Sequence, residues 1–253
     1  MVDTLDGVTQ ADNPPLRKSP LDQVHRAAGA KFTDFGGWDL PLRFGSELAE
    51  HQAVRGAAGL FDLSHMAQIE VTGPGADSGL DYALMGAHST MPVGRASYSM
   101  VLAADGGVID DLIVYRLSAD RFFVIANAAN RETVGDEFSR RLAGFDATVT
   151  DVTLERALIA VQGPQSLAVL TAAGLPRARE LGYYRAYEDE WEGAGVIVAR
   201  TGYTGENGFE VSCLAEVGPR LWEQLMAVGA PLGLVACGLA ARDTLRLEAG
   251  MPL

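Results

Sequence analysis

The sequence predicts an α+β protein, because two patterns in it favour that class over regularly alternating folds. Strand-like and helix-like segments are mixed along the chain and do not alternate as βαβ units, which argues against a doubly wound sheet. Asp105-Gly106 lies between two apolar runs, which is a strong signal for an antiparallel hairpin. The chain has 253 residues, 48% of them hydrophobic, so it can form one large domain or two modest ones.

The limits of the N-terminal helices are predicted from capping and stop residues. Ser19 is a suitable cap, Pro20 suits the first helical position, and Gly29 ends the segment. Ser46 and Gly59 bound the next helix in the same way. The elements predicted up to residue 85 are a helix at 20–28, a loop at 35–41, a helix at 47–58, a strand at 67–72 and a helix at 76–85.

The hairpin signal also sets a strand register. With the turn centred on Asp105-Gly106, Asp111 pairs with Met100 and Ile113 pairs with Tyr98. The elements predicted from this hairpin onward are strands at 96–103, 108–117 and 122–126, a helix at 130–142, strands at 147–152 and 157–161, a helix at 164–173, strands at 195–199 and 209–213, and helices at 217–228 and 239–249.

The chain is acidic, with 33 acidic against 20 basic residues and a formal net charge of −13. A broad nucleic-acid footprint needs a basic face, and the sequence contains no basic stretch, so no nucleic-acid partner is expected. The overall field opposes an anionic ligand, and recognition of such a ligand must therefore come from a few local cations and fixed donors.

Targeting and redox features predict a cytoplasmic protein without a membrane partner. No apolar run approaches the thickness of a bilayer. Residues 1–15, expected to form a disordered tail, lack the basic start and apolar segment of a secretory signal. Cys213 and Cys237 form no disulfide framework and are expected to be buried in a reducing compartment. The histidines and cysteines show no metal-ligand spacing, so no metal is expected.

Two adjacent carboxylates inside an apolar strand are the first candidate for chemistry, because strands disfavour Asp. Neighbours in a strand point to opposite faces, so Asp110 and Asp111 cannot both address one pocket. The register places Asp111 on one face with Ile113, Tyr115 and Tyr98, which suits a flat, polar, aromatic ligand. Asp110 faces aliphatic neighbours and needs a local partner, such as a turn amide. The alternative that both aspartates merely cap the hairpin remains open.

Other polar motifs allow a structural explanation. The segment 200–210 has three glycines but no Walker A ending, so a plain hairpin loop is favoured, and Glu210 could face either a pocket or solvent. Arg242, on the last predicted helix, could form surface ion pairs or anchor a carboxylate or carbonyl. His65 is predicted to be a buried histidine satisfied by local hydrogen bonds.

Several motifs follow one another from about residue 18 to the end of the chain. They are Phe35-Gly36-Gly37-Trp38, Gly59-Leu60-Phe61-Asp62-Leu63-Ser64-His65-Met66, Gly106-Gly107-Val108-Ile109-Asp110-Asp111-Leu112-Ile113-Val114, Asn127-Ala128-Ala129-Asn130-Arg131-Glu132, Val161-Gln162-Gly163-Pro164, Arg200-Thr201-Gly202-Tyr203-Thr204-Gly205-Glu206 and Ala241-Arg242-Asp243-Thr244-Leu245-Arg246-Leu247-Glu248-Ala249-Gly250. In order and wording they resemble the aminomethyltransferase family, the T-protein of the glycine cleavage system, in its N-terminal portion. Ala240 departs from the family pattern, in which glycine is usual.

The resemblance implies two interleaved mixed α/β domains of the folate-binding type. Residues 16–65 and 151–253 are expected to form the first domain, and residues 66–150 an inserted second α+β domain. The family pattern continues past Leu253 with a third, largely β domain, which is expected to be absent from this chain.

The resemblance also implies a reaction in glycine catabolism and one-carbon metabolism. A lipoylated carrier, the H-protein, presents an aminomethyl group, and the one-carbon unit passes to the co-substrate tetrahydrofolate. The products are 5,10-methylenetetrahydrofolate and ammonia, and no metal is implied. One alternative is a folate domain related to sarcosine or dimethylglycine dehydrogenases, although no dinucleotide fingerprint occurs. The other is a non-catalytic, truncated folate-binding protein.

The family's functional residues map by motif onto this sequence. Asp111 is the catalytic candidate, and strand parity selects the same aspartate. Glu210 is suited to pair with the pterin N–H donors, and Arg242 with an acceptor on the folate. The residues expected to line the folate site are Tyr98, Ile113, Tyr115, Asn127, Tyr183, Tyr203, Glu210 and Arg242.

Overall fold

The structure is a computed structural model, and it describes residues 15–252. Most of the tail predicted at residues 1–15 therefore lies outside the described residues. The helices are α1 (Asp22–Ala27), α2 (Glu47–Gly56), α3 (Ala76–Ala83), α4 (Arg131–Leu142), α5 (Ser166–Ala172), α6 (Gly218–Gly229) and α7 (Leu239–Glu248). Single 3-10 turns occur at His88–Thr90, Ala128–Asn130, Thr153–Glu155, Pro176–Glu180 and Ala230–Leu232.

The strands form three sheets of three, six and five strands. They are β1 (Arg17–Lys18), β2 (Lys31–Phe35), β3 (Trp38–Arg43), β4 (Ala58–Asp62), β5 (Ala67–Thr72), β6 (Ala96–Leu102), β7 (Val108–Arg116), β8 (Arg121–Ala126), β9 (Thr148–Asp151), β10 (Arg156–Gln162), β11 (Ala186–Trp191), β12 (Ala194–Ala199), β13 (Gly208–Leu214) and β14 (Leu234–Cys237). This mixture of largely antiparallel sheets and helices confirms the predicted α+β class.

The six-stranded sheet has the order β11-β12-β13-β10-β4-β14. Its pairs are antiparallel except for β14, which runs parallel to β4. The core on one side of this sheet includes Leu60, Ile159, Phe209, Leu221 and Trp222, which contribute from its strands and from α6. The six-stranded sheet therefore combines a strand that precedes the five-stranded sheet in the sequence with strands that follow it.

The five-stranded sheet has the order β6-β7-β8-β5-β9 and is antiparallel throughout. Helices α3 and α4 pack against each other, and their residues Leu80 and Phe138 share a core with Ile69, Val114 and Phe122 from the strands. All of its strands come from one uninterrupted stretch of chain. That stretch lies close to the insertion predicted at 66–150, and the division into two domains stays a prediction.

A third core cluster connects the two large sheets. It contains Tyr115 and Phe123 from β7 and β8, Leu158 and Ile197 from β10 and β12, and Ala241 from α7. One face of β7 therefore turns towards the six-stranded sheet and the start of α7. That placement brings the predicted site residues into one region.

The loop predicted at 35–41 is wrong, because this segment forms the β2–β3 hairpin. Its two turn residues, Gly36 and Gly37, have φ angles of 58° and 80°. Positive φ at both central positions is what a two-residue hairpin turn of the favoured hand requires, and glycine adopts it without strain. The Gly-Gly pair is thus a tight turn between paired strands.

The helix predicted at 47–58 ends at Gly56, and the residues that follow form β4. Every residue of β4 is buried, so the strand lacks the polar alternation that identifies a half-exposed strand. A Cβ at Gly59 would lie 2.4 Å from a Val54 methyl and 2.6 Å from the Cys237 sulfur. The glycine therefore lets helix, strand and sheet pack closely at this point.

No helix within residues 15–252 is long and apolar enough to cross a membrane.

Candidate functional site

The predicted hairpin register is confirmed, since Asp111 pairs with Met100 and Ile113 pairs with Tyr98. The Tyr98 hydroxyl donates to Asp111 Oδ2 over 2.9 Å, and Asn127 Nδ2 donates to Asp111 Oδ1 over 2.8 Å. Burial, followed by the hydrogen bond to the Asp111 carboxylate, raises the pKa of Tyr98 to about 12. Tyr98 therefore stays a neutral donor, and Asp111 is held at both oxygens.

Asp110 points to the other face of β7 and is only 3% exposed. It accepts hydrogen bonds from the Asn127 backbone N–H at 3.0 Å, from Asn127 Nδ2 at 3.0 Å and from Asn130 Nδ2 at 2.6 Å. The expected turn amide is thus Asn127, at the junction of β8 and α4. Burial raises the pKa of Asp110, although the two asparagines oppose that shift.

The alternative that both aspartates cap the hairpin is wrong. The turn is capped by Asp105, whose Oδ1 accepts the Gly107 backbone N–H over 2.9 Å. Asp110 and Asp111 instead pair with Val101 and Met100 within the ladder. Their side chains project to the two opposite faces of the sheet.

Glu210 lies on β13, within contact of residues from the other sheet. Its Oε2 accepts from the Tyr115 hydroxyl at 3.3 Å and from the Thr201 hydroxyl, and these two hydroxyls are 3.0 Å apart. Burial raises the pKa of Glu210, and it also raises that of Tyr115 well above its usual value. Segment 200–207 is the hairpin loop that was favoured, and Glu210 beside it faces the interior.

A buried glutamine side chain forms hydrogen bonds with this loop. Gln162 Nε2 donates to the carbonyls of Thr201 and Phe209, and the Thr204 hydroxyl donates to Gln162 Oε1. A Cβ at Gly202 or Gly208 would lie 2.1 or 2.3 Å from atoms of Gln162. The glycines therefore allow the loop to close over this amide.

Arg242 occupies the first turn of α7, with its guanidinium carbon 4.6 Å from the centre of the Tyr203 ring. Its Nε is buried without a hydrogen-bond partner, and no salt bridge to it forms within residues 15–252. Burial lowers its pKa. Surface pairing does occur on this helix, but it joins Arg246 to Asp243 and Arg55 to Glu248. Arg242 is thus a cation in need of an acceptor.

The hydrogen bonding predicted for His65 is wrong. The side chain is fully buried, and neither ring nitrogen has a partner among the described residues. Burial, followed by the charge of Arg242, lowers the pKa of His65 to about 3. The Phe35 ring packs against it edge-on at 5.6 Å. His65 is therefore a neutral imidazole beneath the site.

The two remaining predicted lining residues are Tyr183, which is exposed, and Ile113, which is partly buried. Tyr183 is 65% exposed, and its ring packs 4.9 Å from that of Tyr184. Tyr184 has a φ of 56°, which is rare for a side chain of this size, and with Tyr98 it lines a cavity of about 380 Å³. Ile113 is half-buried and packs on the core between the sheets. Because it is exposed, Tyr183 lies at the rim of the candidate site.

Three neighbouring residues were not selected from the sequence: Thr201, Asn130 and Tyr184. Thr201 contacts Glu210, Asn130 donates to Asp110, and the Tyr184 ring packs against that of Tyr183. Thr201 and Asn130 belong to motifs quoted above, but no residue pattern assigned either side chain a partner. Within residues 15–252 no group of three His, Cys, Asp or Glu residues is placed to hold a metal ion.

Comparisons with known proteins show the family to which the chain belongs. Residues 21–253 match the family described as GCVT N-terminal domain. An aminomethyltransferase of Streptomyces avermitilis is 53% identical over 237 residues, covering 94% of this chain and 64% of that protein. One of Cutibacterium acnes is 51% identical, covering 94% of this chain and 66% of its own length. The chain thus spans slightly less than two thirds of these curated relatives.

Solved structures show the same fold. The glycine cleavage system aminomethyltransferase T from Bartonella henselae superposes with a TM-score of 0.88 at 42% identity, covering 94% of this chain and 64% of that one. A chain of the heterotetrameric sarcosine oxidase from Corynebacterium sp. U-96 superposes with a TM-score of 0.57 at 19% identity, covering 87% of this chain and 97% of that one. At 19% identity the second likeness concerns the fold alone.

Proposed function

Because the chain belongs to the GCVT N-terminal domain family, whose curated relatives are aminomethyltransferases, we propose that it acts in folate-dependent one-carbon transfer. The proposed donor is an aminomethyl group on the lipoylated H-protein of the glycine cleavage system. The acceptor is tetrahydrofolate, and the products are 5,10-methylenetetrahydrofolate, ammonia and the carrier with its lipoyl sulfur released as a thiol. The cytoplasmic location stays a prediction.

One observation carries the proposal: a carboxylate held by two donors lies in the same region as a buried arginine N–H that has no acceptor among the described residues. Asp111 is fixed by Tyr98 and Asn127, whereas Arg242 Nε has no acceptor within the described residues. A buried donor without an acceptor costs free energy, which a bound ligand can recover. Such a site favours a ligand that carries both donors and acceptors.

A pterin fits this set of groups. The Glu210 carboxylate is an acceptor for the amino group and ring N–H of a pterin, and Arg242 is a donor for its carbonyl oxygen. Tyr98 and Tyr203 supply flat aromatic surfaces, whereas Tyr115 is 2% exposed and contributes through its hydroxyl, which donates to Glu210. Asn127 supports the Asp111 end of the site, and Ile113 adds an apolar contact beside it. Tyr183 at the rim is assigned to the outer part of the ligand.

Asp111 is the proposed catalytic residue. As carbon transfer proceeds and the amine departs, positive charge develops at the transferred carbon, and a fixed carboxylate stabilises it. The same carboxylate can accept a proton from a folate nitrogen that forms a bond to this carbon. Tyr98 and Asn127 hold both oxygens, so little reorganisation is needed when charge develops.

The proposal is tested with the purified chain, lipoylated aminomethyl carrier and tetrahydrofolate. Ammonia and methylenetetrahydrofolate should form in equal amounts, and their formation should require both substrates. Folate binding without turnover would instead support the non-catalytic alternative. Formation of methylenetetrahydrofolate from sarcosine or dimethylglycine, with an added flavoprotein oxidant and without the carrier, would support the dehydrogenase-related alternative.

A further inference from the structure

A single side-chain amide joins the two adjacent aspartates of β7. Asn127 Nδ2 lies 3.0 Å from Asp110 Oδ1 and 2.8 Å from Asp111 Oδ1, and it also lies 3.1 Å from the Asp111 carbonyl oxygen. The aspartates point to opposite faces of the strand, so they do not contact each other directly. Asn127, at the end of β8, bridges them.

Asp110 determines how the Asn127 amide is oriented. The amide nitrogen faces three oxygen acceptors, and the reversed orientation would direct the amide oxygen at them instead. Asp110 is itself immobilised, because it is 3% exposed and also accepts the Asn127 backbone N–H and Asn130 Nδ2. A buried carboxylate with three N–H partners is a rigid reference for the amide.

We propose that Asp110 is a positioning residue, which acts through the Asn127 amide to hold the Asp111 carboxylate in its reactive orientation. This inference rests on the proposed function, in which Asp111 is the group next to the reacting atoms. Asp110 faces the other side of the sheet and does not belong to the folate surface.

The two donors to Asp111 differ in how firmly they are held. Tyr98 is 41% exposed, and its only described side-chain hydrogen bond goes to Asp111 itself. Asn127 is anchored by its backbone N–H and by its side chain to Asp110. The Asp110–Asn127 pair is therefore the part of this network that can define the position of Asp111 before a ligand binds.

Substitution of Asp110 by Asn separates this role from a plain capping role. The new amide has one acceptor oxygen instead of two, and its NH2 group must face the donors of Asn127 or Asn130. If Asp110 positions Asp111, kcat should fall about 10²-fold, as expected for a reactive group displaced by about 1 Å. The KM for tetrahydrofolate should stay within about threefold, because the folate contacts are retained.

A double-mutant cycle tests the route through Asn127. Asp110→Asn and Asn127→Ala should each lower kcat. The kcat of the double variant should be only slightly below that of the more impaired single variant. Independent, additive losses would overturn the proposal. Asp151→Asn is a matched control: Asp151 also accepts from a backbone N–H and from side chains, those of Thr153 and Arg131, in the same sheet. It should lower the melting temperature and leave kcat unchanged.

A readout without turnover separates this inference from the proposed function. The Asn127 side-chain NH2 protons should exchange slowly in the intact protein, and Asp110→Asn should accelerate their exchange and shift their NMR signals. Slow exchange retained in that variant would refute the bridging role, even if the chain were active. If the wild-type chain has no transferase activity, the NMR result still decides whether Asp110 orients Asn127.

Discussion

Arg242 and Tyr203 form a cation–π pair, with the guanidinium carbon 4.6 Å from the ring centre. The ring faces the cation but offers its Nε no hydrogen-bond acceptor, and none is present in the described residues. The arrangement holds the arginine in place while its donors remain available. Such a residue is ready to bind a polar ligand with little loss of side-chain entropy.

Arg242→Ala is expected to weaken tetrahydrofolate binding about 10- to 100-fold, as expected for loss of a hydrogen bond from a charged donor. Isothermal titration calorimetry measures this directly. Arg220→Ala is a suitable control. Arg220 also lies over an aromatic ring, that of Trp191, but its side chain is exposed and lies outside the candidate site. Equal affinity in the Arg242 variant and the wild type would remove Arg242 from the binding site.

Asp111→Asn is expected to preserve folate affinity and to lower kcat about 10²- to 10⁴-fold, the usual contribution of a positioned acid–base group. The neutral amide keeps the size of the carboxylate, but it neither stabilises positive charge nor accepts a proton. Single-turnover measurement with saturating tetrahydrofolate isolates this step. Wild-type turnover in the variant would mean that another group does the chemistry.

Glu210→Gln is expected to change the pH dependence of stability. Burial raises the folded-state pKa of Glu210 above its ordinary value of 4.5, so its contribution to stability is present at low pH. That contribution is lost as the pH rises through the folded pKa, because an ionised group must then stay buried. Urea unfolding should therefore show the wild type losing stability relative to the glutamine variant as the pH rises above the ordinary pKa of 4.5. A constant difference as the pH rises would contradict the assignment.

Asp62→Asn tests a buried pair outside the site. Asp62 Oδ2 lies 2.9 Å from His25 Nε2 and also accepts from Ser19, while its Oδ1 accepts the Ser64 backbone N–H. Burial acts to raise the pKa of Asp62, and the bonds from His25 and the two serines outweigh it and lower the pKa. The variant should lose about 3–5 kcal/mol of unfolding free energy, the usual cost of breaking a buried pair.

The contribution of Asp62 to stability is present above its unfolded pKa and is lost as the pH falls through the lower folded pKa. Chemical denaturation at neutral and acid pH therefore should show the two proteins converging as the pH falls. The exposed pair Arg220–Glu192 provides the comparison, because Glu192→Gln should cost less than about 1 kcal/mol.

The Asp110–Asp111 arrangement could be predicted from the sequence because it depends on local geometry. A two-residue turn signal sets the register, and strand parity then assigns each carboxylate to a face. The need of Asp110 for a turn amide follows from the same parity. The identity of that amide, Asn127, depends on how β8 pairs with β7, which no local pattern encodes.

The contact between Tyr115 and Glu210 could not be predicted, because the two residues are distant in sequence. They are 95 positions apart and meet only when the two large sheets pack together. β4 was missed for a related reason: it is buried on all sides, so its pattern resembles a buried helix. His65 was expected to have local partners, and the orphaned ring becomes evident only once every neighbour is placed.

The antiparallel pairing of β4 with β10 has a consequence for the order of folding. Ile159 pairs with Asp62, and the whole five-stranded sheet lies between these positions in the chain. Closing so long a loop as flexible chain carries an entropic cost, and prior folding of the intervening segment shortens the distance to be closed. The strands of the five-stranded sheet all lie within residues 67–151, so this sheet should form first during synthesis, and β4 can pair with β10 only after β10 leaves the ribosome.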